Sequence, residues 1–248
     1  METLAYKSYI LSKREFMVAA ALAGLEMLDL PFSEEDRAEK PLSEDRELNL
    51  TLFSLYQKEI LRWKGEQSYE VSAEMQQILE ELKNADTVLT VYAADTDVPF
   101  LCHLGSQTVV TESDGERERN IRLGRMTYEQ LREKLIERCF PEVSEKTEKE
   151  YIDAPELGRA FLLENADLAV RGRISSEELQ RVLKEETVLY AAILSENPRR
   201  GEEETQNVLL FLAEHGKRSA ILFDGKVFQI LECTPELIRH FAKKEEGK

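Results

Sequence analysis

The sequence predicts an α+β protein. It is an internally duplicated α-α-β-β-β-β-α unit whose two antiparallel sheets are related by a pseudo-twofold, with helices packed on them. Two observations carry this expectation. Thr87-Val-Leu89 recurs as Thr187-Val-Leu189, 100 residues on. Other landmarks repeat in the same order: Gly65 with Gly172, Ser72 with Ser175, Asp114-Gly115 with Asp224-Gly225, and Thr127 with Thr234. Their offsets of 107, 103, 110 and 107 drift as loop insertions would make them. Short turns between neighbouring strand-like segments favour antiparallel pairing in each copy.

The first 45 residues stand outside the repeat. Residues 4–11 are rich in Tyr, Ile and Leu and suit a strand. Ser12 and Glu15 form a capping box that opens a helix from Arg14 to about Asp29, and Pro31 closes it. Phe16, Met17, Val18, Leu22, Leu25, Met27 and Leu28 make that helix apolar on most faces, so several sides need cover. Residues 33–47 are charged and contain Pro41, a solvated loop.

The first α/β half covers 46–140. A helix from Leu48 to Lys64 places Leu52, Leu55, Tyr56, Ile60 and Trp63 along one side and stops at Gly65. Ser72 opens another, with Met75, Ile78, Leu79 and Leu82 at three-and-four spacing. Strands follow at Asp86–Asp95, Val98–Gly105, Gln107–Ser113 and Glu118–Gly124, the last two joined at Asp114-Gly115. Thr127 and Gln130 then cap a helix carrying Leu131, Leu135 and Cys139.

A linker is expected at 141–150, and 151–248 repeats the programme. Helices run from Pro155 to Arg171 and from Ser175 through Leu183. Strands lie at Thr187–Ser195, Gln206–Glu214, Lys217–Phe223 and Lys226–Glu232. Thr234-Pro235 caps a last helix with Leu237, Ile238 and Phe241.

Composition narrows the function. The net charge of −16 repels phosphate backbones and anionic membranes, and the basic clusters Lys217-Arg218 and Arg199-Arg200 are short, so no nucleic-acid partner is expected. The apolar run Phe16–Leu25 follows Lys13-Arg14 and carries Ala21-Leu-Ala23, which mimics a secretory leader. Glu2, Glu15 and the strand-like residues before it argue against one. The run is also shorter than the ~20 residues that span a bilayer, so no membrane insertion is expected. Cys102, Cys139 and Cys233 cannot all pair and lack metal-type spacing, which fits a reducing compartment, the cytoplasm.

No catalytic constellation stands out, and no cofactor or metal is implied. Cys102-His103 are adjacent on a strand, so their side chains leave opposite faces, a core cysteine beside a surface histidine. His215 and His240 are scattered. The pairs Glu80-Glu81, Glu177-Glu178 and Glu185-Glu186 sit among Lys and Arg as solvated helix faces do.

Ile10-Leu-Ser-Lys-Arg-Glu15 leads into an apolar helix that closes on Leu28-Asp-Leu-Pro-Phe32. Ser54-Leu-Tyr, Gly65, Ser72-Ala-Glu-Met and Leu79 follow before the first sheet. With the duplicated layout and acidic balance, this pattern resembles the EspG family of cytosolic type VII secretion chaperones and the uncharacterised proteins encoded with such systems. The resemblance implies a pseudo-twofold α/β protein without catalysis that binds the hydrophobic tip of a helical secretion substrate and keeps it soluble. The loop at 196–205 and the charged C-terminal tail depart from that pattern.

The expected function is therefore a non-enzymatic cytoplasmic binding protein, a chaperone or adaptor for a secreted helical protein. The alternatives are an enzyme with a site at the junction of the two halves, or an immunity-type protein binding a toxin domain. Partner contacts are expected where the copies diverge, at Asp97, Pro99 and Phe100 and at Asn197, Pro198, Arg199 and Arg200.

Overall fold

A computed structural model describes residues 8–25, 45–65, 68–93, 100–105, 108–113, 120–139, 188–196, 207–214, 217–223 and 228–241. The elements are mixed α and β, and every strand pairing described below is antiparallel. The chain forms two compact units. The first is Met1–Ala85 with Phe100–Met126, and the second is Asp86–Pro99 with Thr127–Lys248. The linker expected at 141–150 and the helices expected at 155–171 and 175–183 lie outside the described residues.

The first unit opens with β1 (Ser8–Ser12) and α1 (Lys13–Leu22). Their junction is the expected capping box: Glu15 N–H donates to Ser12 Oγ at 3.2 Å, and Ser12 N–H donates to Glu15 Oε2 at 2.6 Å. The helix ends sooner than Asp29. Gly24 takes φ of 73°, its N–H donates to the Ala21 carbonyl, and Leu25 N–H reaches back to the Ala20 carbonyl at 2.9 Å. This is a Schellman stop, which glycine adopts without steric cost.

The next helix, α2 (Asp45–Gln57), also ends early. The expected helix to Lys64 is overturned by a Schellman stop built on Glu59, a non-glycine residue at φ 59°. Ile60 N–H donates to the Leu55 carbonyl, Glu59 N–H donates to the Tyr56 carbonyl, and Leu55 and Ile60 are both fully buried. That apolar pair is the contact that accompanies such stops, and it holds glutamate in a conformation it rarely adopts. The chain then enters β2 (Leu61–Gly65), which pairs with β3 (Ser68–Val71). Gly65, expected as a helix stop, instead takes φ 97° where the hairpin register shifts.

Ser72 caps α3 (Ala73–Lys83), whose Met75, Ile78, Leu79 and Leu82 are buried as their spacing predicts. They share one core with Leu11, Phe16, Val18, Ala19, Leu55, Ile60, Leu61, Ile121 and Leu123. In this unit β5 (Phe100–Leu104) pairs with β6 (Thr108–Ser113), β6 with β7 (Asn120–Met126), and β7 with β1. The leading strand, outside the repeat in sequence, thus extends this ladder.

The second unit takes β4 (Thr87–Ala93), followed later in the chain by α4 (Tyr128–Cys139), β8 (Val188–Glu196), β9 (Asn207–Glu214), β10 (Lys217–Phe223), β11 (Phe228–Glu232) and α5 (Pro235–Phe241). Its ladder runs β4, β8, β9, β10, β11. The two Thr-Val-Leu strands therefore pair with each other, Tyr92 standing opposite Ala192. Thr127 and Gln130 cap α4 reciprocally, at 2.8 and 3.2 Å. Val208 through Ala213 of β9 are all buried, so both faces of that strand are covered.

Candidate interaction surface

Of the expected partner residues, Phe100 alone lies among the described residues. Phe100 is 2 % exposed at the start of β5. Asp97, Pro99, Asn197, Pro198, Arg199 and Arg200 lie outside the described residues. His103, expected at the surface, is buried, because β5 is covered on both faces and strand alternation no longer separates core from solvent. Among the described residues no three of His, Cys, Asp and Glu come together as metal ligands. None of the helices described is long and apolar enough to cross a membrane.

What the structure does present is an apolar ridge on the first unit. The inner side of α2 carries Leu55, which is buried, and Leu48 and Leu52, which pack partly on the core. Its outer side carries Leu50, Phe53 and Tyr56 at intervals of three, 61 %, 58 % and 44 % exposed. One helix therefore bears apolar side chains on two sides, more than its own core contact uses.

The hairpin continues the ridge. Strand alternation places Leu61, Trp63, Tyr69 and Val71 on one face, with Leu61 opposite Val71 and Trp63 opposite Tyr69. Leu61, Tyr69 and Val71 join the core or pack against it, while Trp63 overhangs and is 53 % exposed. The Trp63 and Tyr69 rings meet edge to face with centroids 5.1 Å apart, and Tyr56 meets Tyr69 in the same manner at 6.3 Å. Such contacts hold the rings in one arrangement and so lower the ordering cost of binding.

A buried carboxylate fixes the base of the ridge. Glu15 accepts Lys58 Nζ at 2.7 Å and Ser54 Oγ at 2.5 Å, besides the N–H of Ser12. Lys58 also donates to the Ile10 carbonyl at 2.9 Å, tying the end of α2 to β1. Burial alone would raise the Glu15 carboxyl. The hydrogen bonds from Lys58, Ser54 and Ser12, with the Lys58 charge, outweigh it and hold the group below the ordinary glutamate range. Ion pairs also occupy the residues adjoining the ridge, Arg14 with Glu47 and Lys64 with Glu70. An apolar centre bordered by charges, several of them paired within the unit, has the layout of an interaction patch.

No protein-family model and no curated protein matches this sequence. Among solved structures, the type VII secretion system chaperone EspG5 of Mycobacterium tuberculosis, in complex with a PE25–PPE41 dimer, aligns with a TM-score of 0.53. The alignment covers 95 % of this chain and 94 % of that chain at 12 % sequence identity. A likeness at that identity is one of fold.

Proposed function

We propose that this protein is a non-enzymatic binding protein of the cytoplasm, a chaperone or adaptor that holds helical substrates of a type VII-like secretion system. The observation that carries the reading is a fold likeness spanning nearly the whole of both chains, to a type VII secretion system chaperone in complex with a PE25–PPE41 dimer. The exposed apolar ridge agrees with a binding role, since contiguous exposed apolar surface marks interaction sites.

The proposal includes the internal duplication. Its support is the register of β4 on β8: Tyr92 faces Ala192, the residue 100 positions on, and Val91 faces Ile193 as Ala93 faces Ala191. A local twofold through the Tyr92–Ala192 pair exchanges the segments that the repeated Thr-Val-Leu aligns. Duplicated strands meeting about a symmetry axis would produce this register, the isologous geometry of a fused dimer.

The test is affinity capture with the full chain from its native cell while the secretion system is expressed. A small helical secreted protein should co-purify and remain soluble only with the chaperone present. Recovery of no such protein under those conditions would sink the chaperone reading.

A further inference from the structure

We infer that the ridge of α2 and the β2–β3 hairpin is a docking site for one amphipathic α-helix, two to three turns of whose apolar stripe pack on Leu50, Phe53, Tyr56 and Trp63. The inference rests on the binding-protein reading and names the surface and the partner's chemistry. Its first ground is shape. Leu50, Phe53 and Tyr56 form a row of the i, i+3 kind, and such rows pack into the grooves of another helix. The row runs about 9 Å along α2. Beyond it, Tyr69 and Trp63 stand as an aromatic step held by edge-to-face contacts.

The second ground is area, which decides between a helix and a second copy of this chain. About half of each of four large side chains is exposed. At ~150–250 Å² per large side chain, the ridge offers roughly 400 Å² of apolar surface. A twofold dimer closed on it would bury about 800 Å² in total, within the range of lattice contacts and below the ~1,000 Å² of a biological interface. A single helix docked through three or four anchors buries a like area, which suits a contact of the weak, transient class but not a stable dimer. The third ground is charge. Glu47, Lys58, Lys64 and Glu70, which flank the row and the step in the chain, are already paired within this unit. Other charges that flank them in the chain, Arg46, Glu59 and Arg62, are of mixed sign, so the border favours no charge of one sign and the occupant is recognised by its apolar stripe.

Trp63 is the only tryptophan in the chain, so the site carries its own reporter. The probe is a net-neutral helical peptide of about five turns with leucine at i, i+3, i+4 and i+7, against a permuted peptide of the same composition. Titrated into the full chain, the striped peptide should shift Trp63 emission to the blue and shield it from acrylamide, saturably. Phe53→Ser and Leu50→Ser should each weaken that binding by about tenfold, whereas Leu22→Ser on α1 should not change it. An unchanged emission, or an equal response to the permuted peptide, overturns the inference. So does a blue shift on concentrating the chain alone with dimer in sedimentation, which would make a second copy the occupant. If Phe53→Ser leaves capture of a secreted helical protein from the cell intact, the chaperone reading stands and this surface is not its site.

Discussion

Among the described residues, the two units dispose of their apolar side chains in opposite ways. In the second unit Phe211, Leu210, Leu209 and Val208 succeed one another along β9 and all are buried, as are Ala191, Ala192 and Ile193 on β8. In the first unit Ile10, Met17, Leu22, Leu50, Phe53, Tyr56 and Trp63 are exposed, and among the described residues these are all the large exposed hydrophobics. Among the described residues both units bury large apolar side chains, so the contrast lies in what the first unit leaves exposed. The first unit carries apolar residues beyond those its core consumes, and it anchors them with a buried carboxylate paired to a half-exposed lysine and with edge-to-face rings. Apolar side chains left exposed on α2 add little to folding, while those buried on β9 are spent on it.

Truncating the second unit's core should give the largest effect. Phe211→Ala deletes a fully buried ring from a strand covered on both faces, and should cost about 3–5 kcal/mol in urea unfolding. A loss under ~1 kcal/mol would mean that β9 is not packed as described.

The anchor of the ridge comes next. Lys58→Met leaves the Glu15 carboxylate buried without its cation and should cost about 1–3 kcal/mol at neutral pH. The sign of the pH dependence follows from the lowered Glu15 pKa. A carboxylate whose folded value lies below its unfolded one contributes stability above the unfolded value, about 4.3, and that contribution is lost as pH falls through the folded value. The gap between parent and variant should therefore be widest at neutral pH and close in acid. A gap that stays constant from pH 7 to about pH 3 would remove Glu15 from the account.

Much of this frame was legible in the residues, and the failures share a physical cause. The boxes at Ser12–Glu15 and Thr127–Gln130, the spacing of Met75, Ile78, Leu79 and Leu82, and most strand positions follow from local chemistry, and the structure has them. The helix expected to run on to Lys64 failed because Glu59 occupies a left-handed position usually given to glycine, held there by the distant burial of Leu55 and Ile60. His103 failed because cover on the second face of β5 is a tertiary fact. The ridge failed for the same reason. Tyr56 and Trp63 were grouped with Leu52, Leu55 and Ile60 as one apolar side, and only packing reveals which of them find partners. Apolar residues on two sides of α2, at Leu52 and Leu55 and again at Leu50 and Phe53, were the available signal.

A cap belongs to the middle of the scale. Thr127→Ala removes the hydroxyl that accepts Gln130 N–H at 3.2 Å and half of a reciprocal box at the start of α4. It should cost about 1 kcal/mol in the second unit, with Thr127→Ser restoring most of it. Equal losses from both substitutions would point to the Thr127 methyl group instead of its hydroxyl.

The smallest effect sharpens the comparison most, because it can be tested within one helix. Phe53 and Leu55 lie two residues apart on α2, one 58 % exposed and the other fully buried. Leu55→Ala should cost about 2–5 kcal/mol, since its cavity opens in a core shared with Ile60, Met75 and Leu79. Phe53→Ser should change stability by no more than ~0.5 kcal/mol, since the ring contributes little to the folded unit that water does not already reach. That asymmetry is what separates a side chain retained for folding from one available to a partner. If Phe53→Ser instead unfolds the unit by 2 kcal/mol or more, the ring is packed, α2 has no free face, and the docking surface disappears with it.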